Sequence, residues 1–302
     1  MMDAIKITGL TKTYKTGTQA LKGVNLTIAE GDFFALLGAN GAGKTTLIGV
    51  LTGLVNKTAG SVSVFGHDLD KDFEGVKRCL GVVPQEFNFN MFEKVQDIVA
   101  VQGGFFGLDW KTAVKNSQDV LKRVGLWEKR NAMARTLSGG MKRRLMIARA
   151  LVHQPRMLIL DEPTAGVDVE LRIGMWDYLR ELNAQGTTIL LTTHYLEEVE
   201  QMCRNAAIIN KGDIVRQDSV KGLKDLITED AYVITVKELK PLEALARYKP
   251  VVIDAHSFEV QINRHQQLND FIKDMMNGDF NFTDVHPKEN RLEKLFLEIL
   301  KK

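Results

Sequence analysis

Cysteine is nearly absent: Cys79 and Cys203 are the only two in 302 residues, and neither belongs to a Cys-x-x-Cys pair. A disulfide-built scaffold and a thiolate metal site are thereby excluded, and both residues read as small buried hydrophobes of a reducing compartment. Long apolar runs are missing too. The longest, such as 157–160 and 188–191, have the length of strands, whereas a membrane-spanning helix needs ~20 residues. Charge of one sign is also missing. Lys and Arg number 40 against 38 Asp and Glu, a net +2, so nothing in the overall electrostatics calls for nucleic acid. The opening Met1-Met2-Asp3-Ala4-Ile5 lacks the basic and apolar regions of a signal peptide, and a cytoplasmic location is expected. His67, His153, His256, His265 and His286 are scattered without metal-ligand spacing. Neither an internal repeat nor a low-complexity segment is found.

What is present begins with an ordinary balance of 44% hydrophobic and 26% charged residues, enough for a substantial core. The length suits one large domain and one small one. Between a strand-like stretch, 33–37, and a helix-like stretch, 45–54, runs Gly38-Ala39-Asn40-Gly41-Ala42-Gly43-Lys44-Thr45-Thr46. This is the G-x-x-x-x-G-K-[ST] pattern in its strand–loop–helix context. Its glycines let successive N–H groups and a helix N-terminus converge on a triphosphate. Lys44 supplies a mobile charge for the β- and γ-phosphates, and the Thr45 hydroxyl can reach a bound Mg²⁺. The chain is expected to bind ATP and, through it, Mg²⁺.

The first part of the chain reads as strands at 5–10, 24–28, 33–37, 61–65 and 80–83, separated by Gly-rich turns. Helical patterns follow at 95–106, 111–124 and 139–152. Strands at 157–160, 188–191 and 206–209 then alternate with helices at 169–182 and 196–203. Such alternation predicts an α/β core with a largely parallel sheet, and the helical block reads as an insertion into it. Beyond Val220 the glycine motifs stop. Strands at 232–236, 251–254, 258–262 and 280–285, with helices near 266–276 and 291–300, predict a small α+β unit. Domains are expected at 1–223 and 230–302.

A second motif follows the helical block. The apolar strand Met157-Leu158-Ile159-Leu160 ends in Asp161-Glu162-Pro163-Thr164, which places two carboxylates at the carboxyl end of a strand. Asp161 can hold Mg²⁺ and Glu162 can polarise an attacking water. Between the two motifs lies Leu137-Ser138-Gly139-Gly140-Met141-Lys142-Arg143-Arg144. Ser138 is placed to cap the next helix. The run is either a capped helix start with a basic solvated face or a second anion site at the helix's positive end.

Leu137-Ser138-Gly139-Gly140, set between the phosphate loop and Asp161-Glu162-Pro163-Thr164, resembles the signature motif of ATP-binding cassette (ABC) ATPases. The resemblance covers roughly residues 3–220. It implies a RecA-like P-loop core with an N-terminal antiparallel β subdomain and a helical subdomain at about 88–155. Tyr14 resembles the aromatic residue that stacks on adenine. Gln85 resembles the lid glutamine that senses Mg²⁺ and meets the transporter. Asp168 resembles the D-loop acid at the dimer interface, and His194 the switch histidine that contacts the γ-phosphate. The resemblance also implies a head-to-tail homodimer in which each ATP lies between one phosphate loop and the partner's Ser138-Gly139-Gly140. It further implies separate integral membrane permease subunits that bring the chain to the inner face of the membrane.

Met141 after the signature glycines and Gly166-Val167-Asp168 in the D-loop resemble the type-2 multidrug and polysaccharide exporter branch. Two other readings are a soluble ABC ATPase acting on ribosomes or nucleic acid, and an importer ATPase with a ligand-sensing C-terminal domain. One cassette, no heptad insertion and no basic tail argue against the former. Glu86-Phe87-Asn88-Phe89-Asn90-Met91-Phe92 is expected to dock the membrane partner, with Phe87 and Phe89 facing outward.

Overall fold

The computed structural model describes residues 2–164, 169–227, 229–263, 268–288 and 290–301. The chain forms two compact units, Met1–Val220 and Lys221–Lys302.

The first unit opens with β1 (Asp3–Thr13), β2 (Gln19–Ala29) and β3 (Phe33–Leu37), then α1 (Lys44–Leu51), β4 (Ala59–Val64), β5 (His67–Asp68), α2 (Phe73–Cys79) and β6 (Leu80–Val83). Strands β2-β1-β4-β5 make an antiparallel sheet. β2 alternates inward Leu21, Val24, Leu26 and Ile28 with exposed residues, as a strand with one solvated face must. β3 belongs to a different sheet, and all five of its residues, Phe33 to Leu37, are buried. A parallel strand covered on both faces reads as an uninterrupted apolar run.

Three helices follow: α3 (Val95–Phe105), α4 (Trp110–Arg123) and α5 (Gly139–Leu151). Asp109 caps α4 by accepting the Thr112 N–H at 3.0 Å, and Ala113, Ser117, Val120 and Leu121 form its buried stripe. The chain then returns to the core through β7 (Met157–Asp161), α6 (Val169–Ala184), β8 (Thr188–Thr193), α7 (Leu196–Met202), β9 (Asn205–Asn210) and β10 (Asp213–Ser219). The order is β10-β9-β3-β8-β7-β6, parallel throughout except for β10. The carboxyl ends of β3, β7 and β8 therefore open on one side of the sheet, where ligands bind in such folds. A short α8 (Val220–Asp225) follows.

The second unit holds β11 (Glu229–Val236), β12 (Val251–Val252), β13 (Ser257–Asn263), α9 (Leu268–Asn277), β14 (Phe282–Pro287) and α10 (Arg291–Lys301). Its antiparallel sheet runs β12-β13-β11-β14. The core gathers Ile234, Tyr248, Phe258, Val260 and Phe271, with the Tyr248 and Phe271 rings meeting edge to face at 4.9 Å. The strand expected at 251–254 shrinks to Val251–Val252, because Ile253 and Asp254 turn back onto Ser257 through their N–H groups.

Candidate functional site

The loop after β3 approaches its neighbours too closely for ordinary residues. A Cβ at Gly38 would lie 2.6 Å from the Ile209 carbonyl oxygen. Gly43 caps α1 with φ 115°, a left-handed conformation that glycine adopts without penalty. The loop thus brings backbone amides to the first turn of α1, whose N–H groups have no partner within the helix. Asn40 and Gly41 are exposed at its tip, and Lys44 is only 6% exposed. Its ammonium folds back to donate to the carbonyls of Gly38 (2.6 Å) and Ala39 (3.2 Å). Burial lowers the Lys44 pKa from its ordinary value, with the charges of Glu162 and then Asp161 acting in the opposite sense. Loop and acids therefore share one electrostatic site. The Thr45 side chain is exposed at the start of α1.

β7 delivers the two acids. Asp161 pairs in register with Thr192 of β8, and the Thr192 hydroxyl donates to Asp161 Oδ1 at 2.5 Å. Glu162 takes φ 46°, uncommon for a residue with a side chain. Its N–H donates to the Thr192 carbonyl (3.0 Å) and lies 3.2 Å from the Thr192 hydroxyl. This turn faces the Glu162 carboxylate toward His194, just past β8, with Oε2 and Nδ1 3.2 Å apart. Glu162 is largely buried, its side chain 12% exposed, and His194 is open at 46%. The imidazole rests against the Tyr195 ring at 4.1 Å, and the Tyr195 N–H donates to Thr193 Oγ1 at 2.9 Å. The Thr45 hydroxyl and the Asp161 carboxylate are hard oxygen donors of the kind Mg²⁺ accepts, and the glycine-walled loop beside Lys44 suits a polyphosphate.

The ABC transporter family profile matches residues 21–165. The linearmycin resistance ATP-binding protein LnrL of Bacillus subtilis (strain 168) is 32% identical over 290 residues, which are 92% of this chain and 93% of that protein. The chain belongs to the ABC transporter ATP-binding family. The daunorubicin/doxorubicin resistance ATP-binding protein DrrA of Streptomyces peucetius is 37% identical over 221 residues, 73% of this chain and 67% of that protein. Among solved structures, an ATP-binding cassette seen as a dimer in a post-hydrolysis state with ADP and Pi superposes with a TM-score of 0.65 at 28% identity. The match covers 72% of this chain and 98% of that one. The protein is an ATP-binding cassette ATPase.

Of the remaining expected residues, Tyr14 reaches the first turn of α1. Ser138 caps α5, its hydroxyl accepting the Met141 N–H at 3.3 Å, and Ser138 and Gly139 are exposed while Gly140 is buried. Among the described residues none of the three hydrogen-bonds to the phosphate loop or the acids. Tyr14 is 37% exposed, with its hydroxyl 3.2 Å from Thr46 Oγ1 and the Lys12 ammonium 4.9 Å from its ring centroid. Gln85 is exposed just beyond β6. Asp168 lies outside the described residues.

One of the two open readings of the signature run, and one expectation, need correction. The basic run after the signature glycines is not a solvated face throughout. Arg143 is 5% exposed and donates to the carbonyls of Pro84 (3.0 Å) and Gln85 (2.9 Å). In the aromatic segment Phe89 is half-buried, with its ring 6.0 Å from that of Phe87, and the most open member is Phe92 at 70%. Thr192 was missed altogether. Its only sequence signal is a pair of threonines ending an apolar strand just before His194.

Proposed function

We propose that the chain powers an exporter as a homodimer, with ATP enclosed between the phosphate loop of one protomer and Ser138-Gly139-Gly140 of the other. The observation that carries this reading is the 3.2 Å approach of His194 to Glu162 beside the buried Lys44. Lys44, Gly41, Gly43 and the first amides of α1, including Thr45 and Thr46, bind the phosphates, and Tyr14 stacks on the base. Glu162 accepts hydrogen-bonding from the attacking water, and His194 holds that water and the γ-phosphate in line. Asp161, Thr45 and Gln85 would hold Mg²⁺, which neutralises charge on the phosphates when bound. Asp168 would act at the dimer interface.

No helix among the described residues is long and apolar enough to cross a membrane. In this reading a separate permease carries the substrate and would bring the chain to the inner face of the membrane. Its docking groove would be the depression of about 270 Å³ lined by Leu54, Pro84, Asn88, Gln102, Phe106 and His153. Leu54 stands 85% exposed at its edge, as a site for an amphipathic helix requires. The export direction rests on the relatives, whose names refer to linearmycin and daunorubicin/doxorubicin resistance, one of them aligned across both units. The Lys221–Lys302 unit is assigned to stabilising or regulating the dimer.

Glu162→Gln tests the reading. It should bind ATP, lose at least about 100-fold in hydrolysis, and accumulate as an ATP-dependent dimer by light scattering. Hydrolysis at the parental rate would remove Glu162 from the mechanism.

A further inference from the structure

The helix that begins at the signature glycines is fastened to the segment containing Gln85 by two arginines. Arg143 donates from its two terminal nitrogens to the consecutive main-chain carbonyls of Pro84 (3.0 Å) and Gln85 (2.9 Å). Its guanidinium carbon also lies 5.2 Å from the Phe87 ring centroid. Two turns further along α5, Arg149 donates to the Asn88 carbonyl (3.0 Å), to Asn88 Oδ1 (2.8 Å) and to Gln102 Oε1 (3.0 Å). Residues 84–88 thus lie against α5 as a stapled strip.

Arg143 is the inner staple, and its placement is costly enough to demand a reason. A guanidinium that is 5% exposed has surrendered most of its water, and its Nε has no hydrogen-bond partner among the described residues. Carbonyl dipoles and an aromatic face compensate, and both belong to the segment that carries Gln85. A guanidinium fork that meets two carbonyls fixes orientation as well as distance.

We propose that Arg143 is a positioning residue for ATP hydrolysis. Holding the Pro84 and Gln85 carbonyls, it aims the Gln85 side chain and makes Gln85 and Ser138-Gly139-Gly140 move as one body. Arg143 lies five residues beyond Ser138 on α5, little more than one helical turn, so the link is a short rigid strut. In the proposed dimer the strut joins the two ATP sites of one protomer, because Gln85 serves that protomer's own nucleotide and Ser138 the partner's. The inference rests on the reading that Gln85 takes part in hydrolysis.

A double-mutant cycle on the full chain decides it, with Arg143→Ala, Gln85→Ala and the pair, measuring kcat, KM for ATP and melting temperature. Arg143→Ala should lower kcat by roughly tenfold or more while KM changes by less than about threefold. In the Gln85→Ala background the same substitution should change kcat by less than about twofold, since there is no side chain left to aim. A folded Arg143→Ala chain that only melts earlier while turning over at the parental rate overturns the proposal. So do two effects that multiply. If Gln85→Ala alone keeps the parental rate, the role given to Gln85 fails and the proposal falls with it. Loss in Gln85→Ala beside full activity in Arg143→Ala sinks the proposal alone. Should Arg143→Ala not fold, Arg143→Lys replaces it in the cycle, keeping the charge without the two-pronged donor. The same outcomes then decide.

Discussion

His194 Nδ1 and Glu162 Oε2 stand 3.2 Å apart although they follow different strands, and the uncommon φ of 46° at Glu162 is what turns the carboxylate toward the imidazole. If the imidazole orients the water that Glu162 polarises, His194→Ala should lower kcat about 100-fold. ATP affinity should stay within about threefold, because the phosphate loop is untouched. Steady-state kinetics with equilibrium nucleotide binding separates the two quantities. A rise in KM with kcat intact would make His194 a binding group only.

Tyr14 presents two separable features, a ring and a hydroxyl 3.2 Å from Thr46 Oγ1. Tyr14→Phe keeps the ring and should cost no more than about 1 kcal/mol of stability, with nucleotide affinity nearly unchanged. Tyr14→Ala should weaken ATP binding by about tenfold or more, in line with the ~1–3 kcal/mol of stacking an aromatic residue on a base. Equal losses in the two variants would mean that the hydroxyl link to α1 matters, and not the ring.

His153 stacks face to face on Phe106 at 3.6 Å, and its Nε2 lies 3.0 Å from the Leu80 carbonyl. Burial pushes its pKa down to about 4, below the ~6.5 of an unfolded histidine. The unfolded chain therefore takes up the proton first. The stability tied to this residue is whole above about pH 6.5 and is lost as pH falls from there through the folded value. His153→Gln, which stays neutral, should lessen the acid loss by at most about 3 kcal/mol. Urea unfolding at several pH values from neutral to acid reads the difference. Parallel curves for the two proteins would rule out His153 as a source of acid sensitivity.

Leu54 is 85% exposed at the edge of the proposed docking groove, and Phe92, 70% exposed, belongs to the 86–92 segment whose Asn88 lines that groove. Leu54→Ser and Phe92→Ser should leave ATPase activity and melting temperature of the isolated chain within error, since exposed substitutions away from caps and ion pairs change stability by about ±0.5 kcal/mol. Co-purification with a permease in detergent should be lost. Retention of the complex in both variants would move the docking site elsewhere.

Much of the core was legible because its strands are buried on both faces. Phe33–Leu37, Met157–Asp161 and Thr188–Thr193 show as apolar runs within one or two residues of their final ends. β10 was not read, since Asp213–Ser219 is polar and mostly exposed and becomes a strand by pairing with β9. The short α2 was missed as well; Asp72 caps it through the Gly75 N–H at 3.0 Å, but Val76 and Cys79 are its only buried residues. At the site, the motifs announced Lys44, Asp161 and Glu162. Arg143 gave no such sign: its partners are main-chain carbonyls 58 and 59 residues away, and a carbonyl leaves no mark in a sequence.

The pairing of Asp161 with Thr192 carries a consequence for how the protein assembles. A slip of one residue between β7 and β8 would move the Thr192 hydroxyl off the face it shares with Asp161. If the slip set Leu191 opposite Asp161, Asp161 would lose its hydroxyl donor and the Glu162 amide its side-chain acceptor. In that reading, alignment of these two strands and completion of the proposed hydrolytic pair are one event. A misregistered sheet would be compact but inert, and hydrolysis itself would report that the sheet had closed correctly.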